Sequence, residues 1–305
     1  MDATPFVFRE RVATLWKCCE YQTHNSQCVA LRVPVCEWRR EMTRISLYIC
    51  SDRGQWKYGF SCSVNTDSFL SLAELQKSVN FEQVTIQAIA ISVWDIEHDN
   101  LTNLCGNEVE RLMKLIVHLS NEPYLNLTGT TAEIFNTPLG SALLKCLSKI
   151  QFSRIDISES PPVYNQLFGN QLSRRNPTKI FLYGVNQNRE FFMKNLKNGR
   201  IKYFEAIDDY SGNSNDYFPA EVMAGIVNSF LKNPEEYKEE HFRISAHFDG
   251  STEAMLERKV KKGTCERDAN GEYRFTAYNS KLQRRQHLSV QKCGESLYVF
   301  TTRAL

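Results

Sequence analysis

The residues of this chain best suited to chemistry fall into a few small groups. Cys18, Cys19, His24, Cys28 and Cys36 are metal-capable in type. Structural zinc sites, however, pair their ligands two to four residues apart in two groups, and this spacing differs. They read as free thiols and a surface histidine. Asp95, Glu97, His98 and Asp99 follow an expected strand, where an oxygen-rich loop can bind a divalent cation. A solvated acidic loop accounts for them better. His241 and His247 are an even six residues apart, so on one strand they share a face, but no third ligand accompanies them. Asp208 and Asp209 are adjacent and on a strand would face opposite sides, a poor general acid/base pair.

No phosphate-cradling Gly-x-x-x-x-Gly-Lys, no Gly-x-Gly-x-x-Gly and no Gly-x-Ser-x-Gly occurs. The expectation is a protein without catalytic residues, metal or cofactor. A hydrolase or nucleotide-binding enzyme, assembled from distant residues, ranks third among the readings.

The rest of the composition fits that expectation. The chain has 305 residues, 42% hydrophobic and 24% charged, near the averages for a soluble globular protein. A formal net charge of +2 is too small to argue for nucleic acid or membrane as partner. The basic run Arg258, Lys259, Lys261, Lys262 has Glu253 and Glu257 beside it and reads as a solvated helix face. The N-terminus lacks the apolar core of a signal peptide, and the longest apolar stretches, such as Ala88–Val93, fall short of a membrane span. A cytoplasmic or nuclear protein is expected, its ten cysteines reduced.

The elements that must position any site can be read from periodicity. Arg44–Cys50 and Trp56–Phe60 alternate as a β-hairpin. Ser71-Leu72-Ala73-Glu74 has capping-box form and opens a helix through Ser78. Val84–Val93 is a β-branched strand. Val109, Leu112, Met113, Ile116 and Leu119 make an amphipathic helix that Pro123 ends. Strands then start near 124, 154, 179 and 202, separated by 30, 25 and 23 residues, with helical stripes between them. Pro219 is placed at a first helical position. Strand, helix, strand at such a period favours a parallel sheet with right-handed crossovers.

Phe152-x-x-Ile155-x-Ile157, Ile201-x-x-Phe204-x-Ala206 and Pro177-x-x-Ile180-x-Leu182 partly fit a Leu-x-x-Leu-x-Leu core. The Asn or Cys of regular repeats is replaced by Ser160, Val185 and Asp209. The fold class is therefore α/β, either an irregular leucine-rich-repeat-like strand–helix solenoid or an ordinary parallel-rich sheet. It has a short N-terminal helical segment and a C-terminal β-hairpin region around Asn270-Gly271. The expected division is 1–43 and 44–305.

Met1-Asp2-Ala3-Thr4-Pro5-Phe6-Val7-Phe8, the Trp38 segment, Ile45–Phe60 with Trp56-Lys57-Tyr58, Leu119-Ser120-Asn121-Glu122-Pro123 and Phe152-Ser153-Arg154-Ile155 resemble a large nematode family of F-box-like proteins. The resemblance implies a substrate receptor. An N-terminal F-box-like segment docks on the Skp-type adaptor of a cullin-RING ubiquitin ligase, and the F-box-associated-type α/β domain holds an unknown target protein. Pro5, Phe6, Phe8, Val12, Leu15 and Trp16 are the implied adaptor-docking residues. An interaction scaffold without the ligase connection is the alternative. If the sheet is parallel, the loops after its strands line one edge. Tyr164, Asp208, Asp209, Tyr210 and Tyr217 are the expected target contacts there.

Overall fold

The computed structural model describes residues 43–52, 54–61, 69–78, 84–93, 101–104, 106–130, 132–158, 161–173, 178–183, 188–207, 217–238, 241–294 and 296–304. Among them the chain is α/β, with thirteen strands in one large mixed sheet that is not closed, and eight helices.

The strands are β1 (Thr43–Asp52), β2 (Gln55–Ser61), β3 (Val84–Ser92), β4 (Thr102–Asn103), β5 (Ser120–Gly129), β6 (Arg154–Ile157), β7 (Lys179–Tyr183), β8 (Tyr203–Ile207), β9 (Arg243–His247), β10 (Glu266–Arg267), β11 (Tyr273–Asn279), β12 (Arg284–Lys292) and β13 (Leu297–Ala304). The helices are α1 (Leu72–Ser78), α2 (Gly106–Leu119), α3 (Ala132–Phe135), α4 (Pro138–Leu147), α5 (Asn165–Leu172), α6 (Arg189–Lys197), α7 (Ala220–Lys232) and α8 (Ser251–Lys261).

Strand order across the sheet is β10-β11-β12-β13-β9-β8-β7-β6-β5-β3-β1-β2-β4. The middle seven, β1, β3, β5, β6, β7, β8 and β9, are parallel and lie side by side in chain order. Antiparallel strands extend the sheet at both ends. The outermost strands, β4 and β10, are two residues each. β10 pairs only with Tyr273 and Arg274, so the rest of β11, to Asn279, forms the edge on that side among the described residues.

Alternation along the strands builds the core. Leu125 and Leu127, Ile155 and Ile157, Ile180 and Leu182, Phe204, then Ile244 and Ala246 project to one face, and all are buried. They join Leu112 and Ile116 of α2, Leu143 and Leu147 of α4, Phe168 of α5, Phe192 of α6 and Val227 of α7 in one apolar cluster. Each such side chain taken out of water contributes roughly 1.5–3 kcal/mol of gross stabilisation. An aromatic chain, Phe168 to Phe192 to Phe204 to Phe218 at centroid separations of 5.5, 5.4 and 6.0 Å, ties α5, α6 and β8 together. Helices on one face follow from strands laid down in a single direction through crossovers of one hand.

Local chemistry sets several boundaries. Ser71 and Glu74 form the expected capping box, with Ser71 N donating to Glu74 Oε2 at 2.8 Å and Glu74 N to Ser71 Oγ at 3.2 Å. α4 is capped by Thr137, whose hydroxyl accepts from Gly140 N at 3.0 Å, with Pro138 in the first turn. Pro219 stands one position earlier than expected, as the extended residue before α7 (φ −71°, ψ 155°). Pro123 lies inside β5, where the pairing with β3 shifts register and Glu122 takes φ 48°. A bulge is where a strand tolerates proline. The hairpin at Asn270-Gly271 is present with a longer turn built by Asp268, whose Oδ1 accepts from Asn270 N and Glu272 N while Gly271 takes φ 80°.

Candidate functional site

The opposite face of the sheet is polar and aromatic, and the pairing register aligns it into rows. Tyr124, Arg154, Lys179, Tyr203 and Arg243 are successive cross-strand partners on β5 to β9. The row continues through Thr301 and Ser289 to Arg274. Two residues further along the strands, and so on the same face, lies a second row: Asn126, Asp156, Phe181, Glu205 and Ser245.

The buried turns before the strands position the first row. Gln171, on α5 and fully buried, accepts from Phe152 N at 3.0 Å and donates to Ile150 O at 2.7 Å. Thr178 Oγ1 donates to Phe152 O at 3.0 Å. The backbone ladder then fixes the register, with Lys179 N donating to Ser153 O at 3.1 Å and Arg243 N to Lys202 O at 3.0 Å.

Side chains of the two rows interlock. Arg154 grips Asp156 with two hydrogen bonds, Nε to Oδ1 at 2.6 Å and Nη2 to Oδ2 at 2.7 Å. The Tyr124 hydroxyl donates to the same Oδ2 at 2.8 Å. The Arg154 guanidinium lies 3.9 Å over the Phe181 ring, a favourable cation–π geometry. Lys179 Nζ stands 5.0 Å from the centroid of Tyr203, whose hydroxyl donates to Glu205 Oε1 at 2.8 Å. Arg243 Nε closes the series at 3.0 Å from that carboxylate.

Depth separates the charges. The Asp156 side chain is 5% exposed against 41% for Arg154, and Glu205 is 20% exposed against 46% for Arg243. Lys179 is exposed. The bond to Asp156 pushes the Arg154 pKa up, so it stays charged at any accessible pH. Burial first, and the Asp156 bond second, push the Tyr124 phenol up. Burial and then Glu205 do the same to Tyr203. These tyrosines are neutral at physiological pH.

The expected target contacts are distributed unevenly around this surface. Tyr164 does not belong to it. Its ring is fully buried, packs edge-on against Phe135 and Phe168 at 5.3 and 6.1 Å, and its hydroxyl is 2.7 Å from Thr130 Oγ1. It ends the turn Pro162–Tyr164 that leads into α5, which directs the ring into the core. Tyr217 is half-buried and stacks on His247 of β9, centroids 5.7 Å apart and planes 17° off parallel. His247 Nδ1 lies 2.8 Å from Ser296 Oγ. His241 lies before β9 in a turn and is not its strand partner. Asp208, Asp209, Tyr210, the implied adaptor-docking residues Pro5, Phe6, Phe8, Val12, Leu15 and Trp16, and the cysteine–histidine and Asp95–Asp99 groups lie outside the described residues.

Sequence reasoning missed Tyr124, Arg154, Asp156, Phe181, Tyr203, Glu205 and Arg243 as one surface. Alternation with Leu125, Ile155, Ile157, Ile180, Phe204 and Ile244 puts each of them on the other face, but the register that lines them up is not written in the spacing.

A cleft of about 520 Å³ lies elsewhere, between β2, β4 and α4, lined by Gly54, Gln55, Trp56, Asn103, Leu104, Thr137, Pro138 and Leu139. None of these side chains titrates. Among the described residues no three His, Cys, Asp or Glu side chains gather to hold a metal ion, and no helix is long and apolar enough to cross a membrane. Comparison of the chain with protein-family models, with curated proteins and with solved structures found no match.

Proposed function

We propose that this chain is a non-catalytic protein-interaction protein, an F-box-like substrate receptor of a cullin-RING ubiquitin ligase, whose target lies on the polar face of the sheet. The observation that carries the reading is the in-register row Tyr124, Arg154, Lys179, Tyr203, Arg243. A broad surface of tyrosine and arginine suits a protein partner, because these residues dominate binding energy at interfaces. The sequential parallel strands, with their Leu-x-x-Leu-x-Leu-like cores, support an irregular leucine-rich-repeat-like winding, an architecture that presents such a face. The adaptor half of the reading rests on the resemblance of residues 1–43.

A second reading, a scaffold without the ligase connection, is favoured by the polar run Gln22–Gln27, where an F-box is expected to continue with apolar residues at helical spacing.

The test is affinity capture of the intact chain from cells, with the Skp-type adaptor and co-captured ubiquitin conjugates quantified. Leu15→Asp with Trp16→Asp should lose the adaptor while remaining folded. Lys179→Glu should keep the adaptor and lose the conjugates. No adaptor on the intact chain leaves the scaffold reading and removes the ligase. Conjugates undiminished by Lys179→Glu put the target elsewhere than the polar face.

A further inference from the structure

Charge on the polar face is sorted by depth. Two carboxylates, Asp156 and Glu205, sit low and are consumed by Arg154 and Arg243. The outer layer that a partner meets first is Arg154, Lys179 and Arg243, standing among half-buried tyrosines. The formal charge of these five groups is +1, yet what they present outward is positive. Charge pairs held this way fix the cations in place, so little side-chain entropy is lost when a ligand arrives.

Spacing and donor count narrow the ligand. Adjacent strands are about 4.8 Å apart, so Arg154 and Arg243, three strands apart, are separated by about 14 Å. An extended chain crossing the sheet repeats its facing side chains every 6.8 Å or so, placing residues i and i+4 about 14 Å apart. Arg154 has already committed Nε and Nη2 to Asp156, and Arg243 its Nε to Glu205. Each guanidinium keeps further N–H groups, but the two are anchored on separate carboxylates and start three strands apart. A phosphate dianion is held best by converging forks, whereas single carboxylates need one donor group each. The half-buried Tyr203 ring lies between the two arginines, beside Phe181, which is buried under the Arg154 guanidinium.

We infer that the polar face takes an extended acidic segment of a partner protein, with carboxylates at i and i+4 on Arg154 and Arg243 and an apolar side chain at i+2 over the Tyr203 ring. This rests on the reading of that face as the recognition surface, and names the chemistry of what it recognises. Lys179 steers the acidic segment in, so association falls as salt screens it.

The probe is a fluorescein-labelled peptide of three Glu-Ser-Leu-Ser repeats, titrated with the full-length chain and followed by anisotropy at 50 and 300 mM salt. A Lys-for-Glu peptide, a Gln-for-Glu peptide and a twelve-nucleotide oligothymidine are run alongside. Binding of the Glu peptide is expected, at least tenfold weaker with Lys179→Glu and unchanged within twofold with Arg284→Glu and Arg285→Glu. The latter are exposed on the β11–β12 hairpin, away from the row. Circular dichroism melts confirm that each variant folds, and Lys179→Gln should lose less than Lys179→Glu.

Equal loss with the hairpin variants, or equal binding of oligothymidine, would mean attraction of any polyanion and would overturn the inference. Failure of the Glu peptide to bind also overturns it. If the Gln or Lys peptide then binds and Tyr203→Glu abolishes that binding, the face remains a recognition surface with the opposite preference. A Glu peptide that binds but ignores Lys179→Glu sits elsewhere, and both readings fall.

Discussion

At the scale of single residues, Asp156 decides the state of its neighbours. Its carboxylate is nearly buried and accepts from Arg154 twice and from Tyr124 once. Hydrogen bonds to a charged group contribute about 1.5–3 kcal/mol, but Arg154 is 41% exposed and can turn to water when its partner goes. Asp156→Asn should therefore cost about 1–2 kcal/mol in urea unfolding at neutral pH. The same variant has a spectroscopic consequence. Tyr124 is held above the usual phenol range first by burial and then by the bond to Asp156. With the charge removed only burial remains, so one tyrosine should ionise at lower pH than in the parent, read by absorbance at 295 nm. An unchanged titration curve would mean that the Tyr124–Asp156 bond is not formed in solution.

At the scale of elements, most of the chain could be read from its periodicity, and the exceptions have physical reasons. The apolar alternation of β6, β7 and β9, the stripe of α2 and the Ser71–Glu74 capping box lie where the spacing places them. Tyr164 was misread because an aromatic beside two prolines looks like a loop residue, while the turn there points it inward. The row from Tyr124 to Arg243 was missed for another reason. A residue's place in a row depends on register between strands 20 to 40 positions apart in the chain, which one-dimensional periodicity does not contain.

The α3–α4 corner shows the same dependence on close approach. A side-chain carbon on Gly140 would come within 2.0 Å of Ile134 O, part of the backbone of the preceding turn. Backbone cannot yield as a flexible side chain can, so Gly140→Ala should destabilise by about 1–3 kcal/mol. Thr137→Ala, which only removes the cap, should cost about 1 kcal/mol. Urea midpoints with unchanged slopes would check both. A Gly140→Ala protein as stable as its parent would mean that the corner is wider than 2.0 Å implies.

At the scale of the whole molecule, stability should depend on pH in one direction above neutrality. Burial pushes the thiols of Cys146 and Cys265 up to about 11 from an ordinary value of 9, and the Tyr237 phenol up to about 12 from 10. A group whose folded pKa is raised contributes stability that is complete below its unfolded pKa. From about pH 9 the unfolded chain releases these thiol protons while the folded chain keeps them, so the contribution shrinks until the folded thiols also ionise near 11. Tyr237 extends the decline from about 10 to 12. Each thiol contributes on the order of 1–2 kcal/mol over this window once screening is allowed for. Urea unfolding at pH 8 and pH 10.5 should show the parent losing more stability than a Cys146→Ala, Cys265→Ala double variant. The cavities left by alanine lower stability at both pH values and cancel in the difference, so the comparison isolates the protons. Equal losses in the two proteins would mean that the buried thiols titrate at their ordinary value and that water reaches them in the folded state.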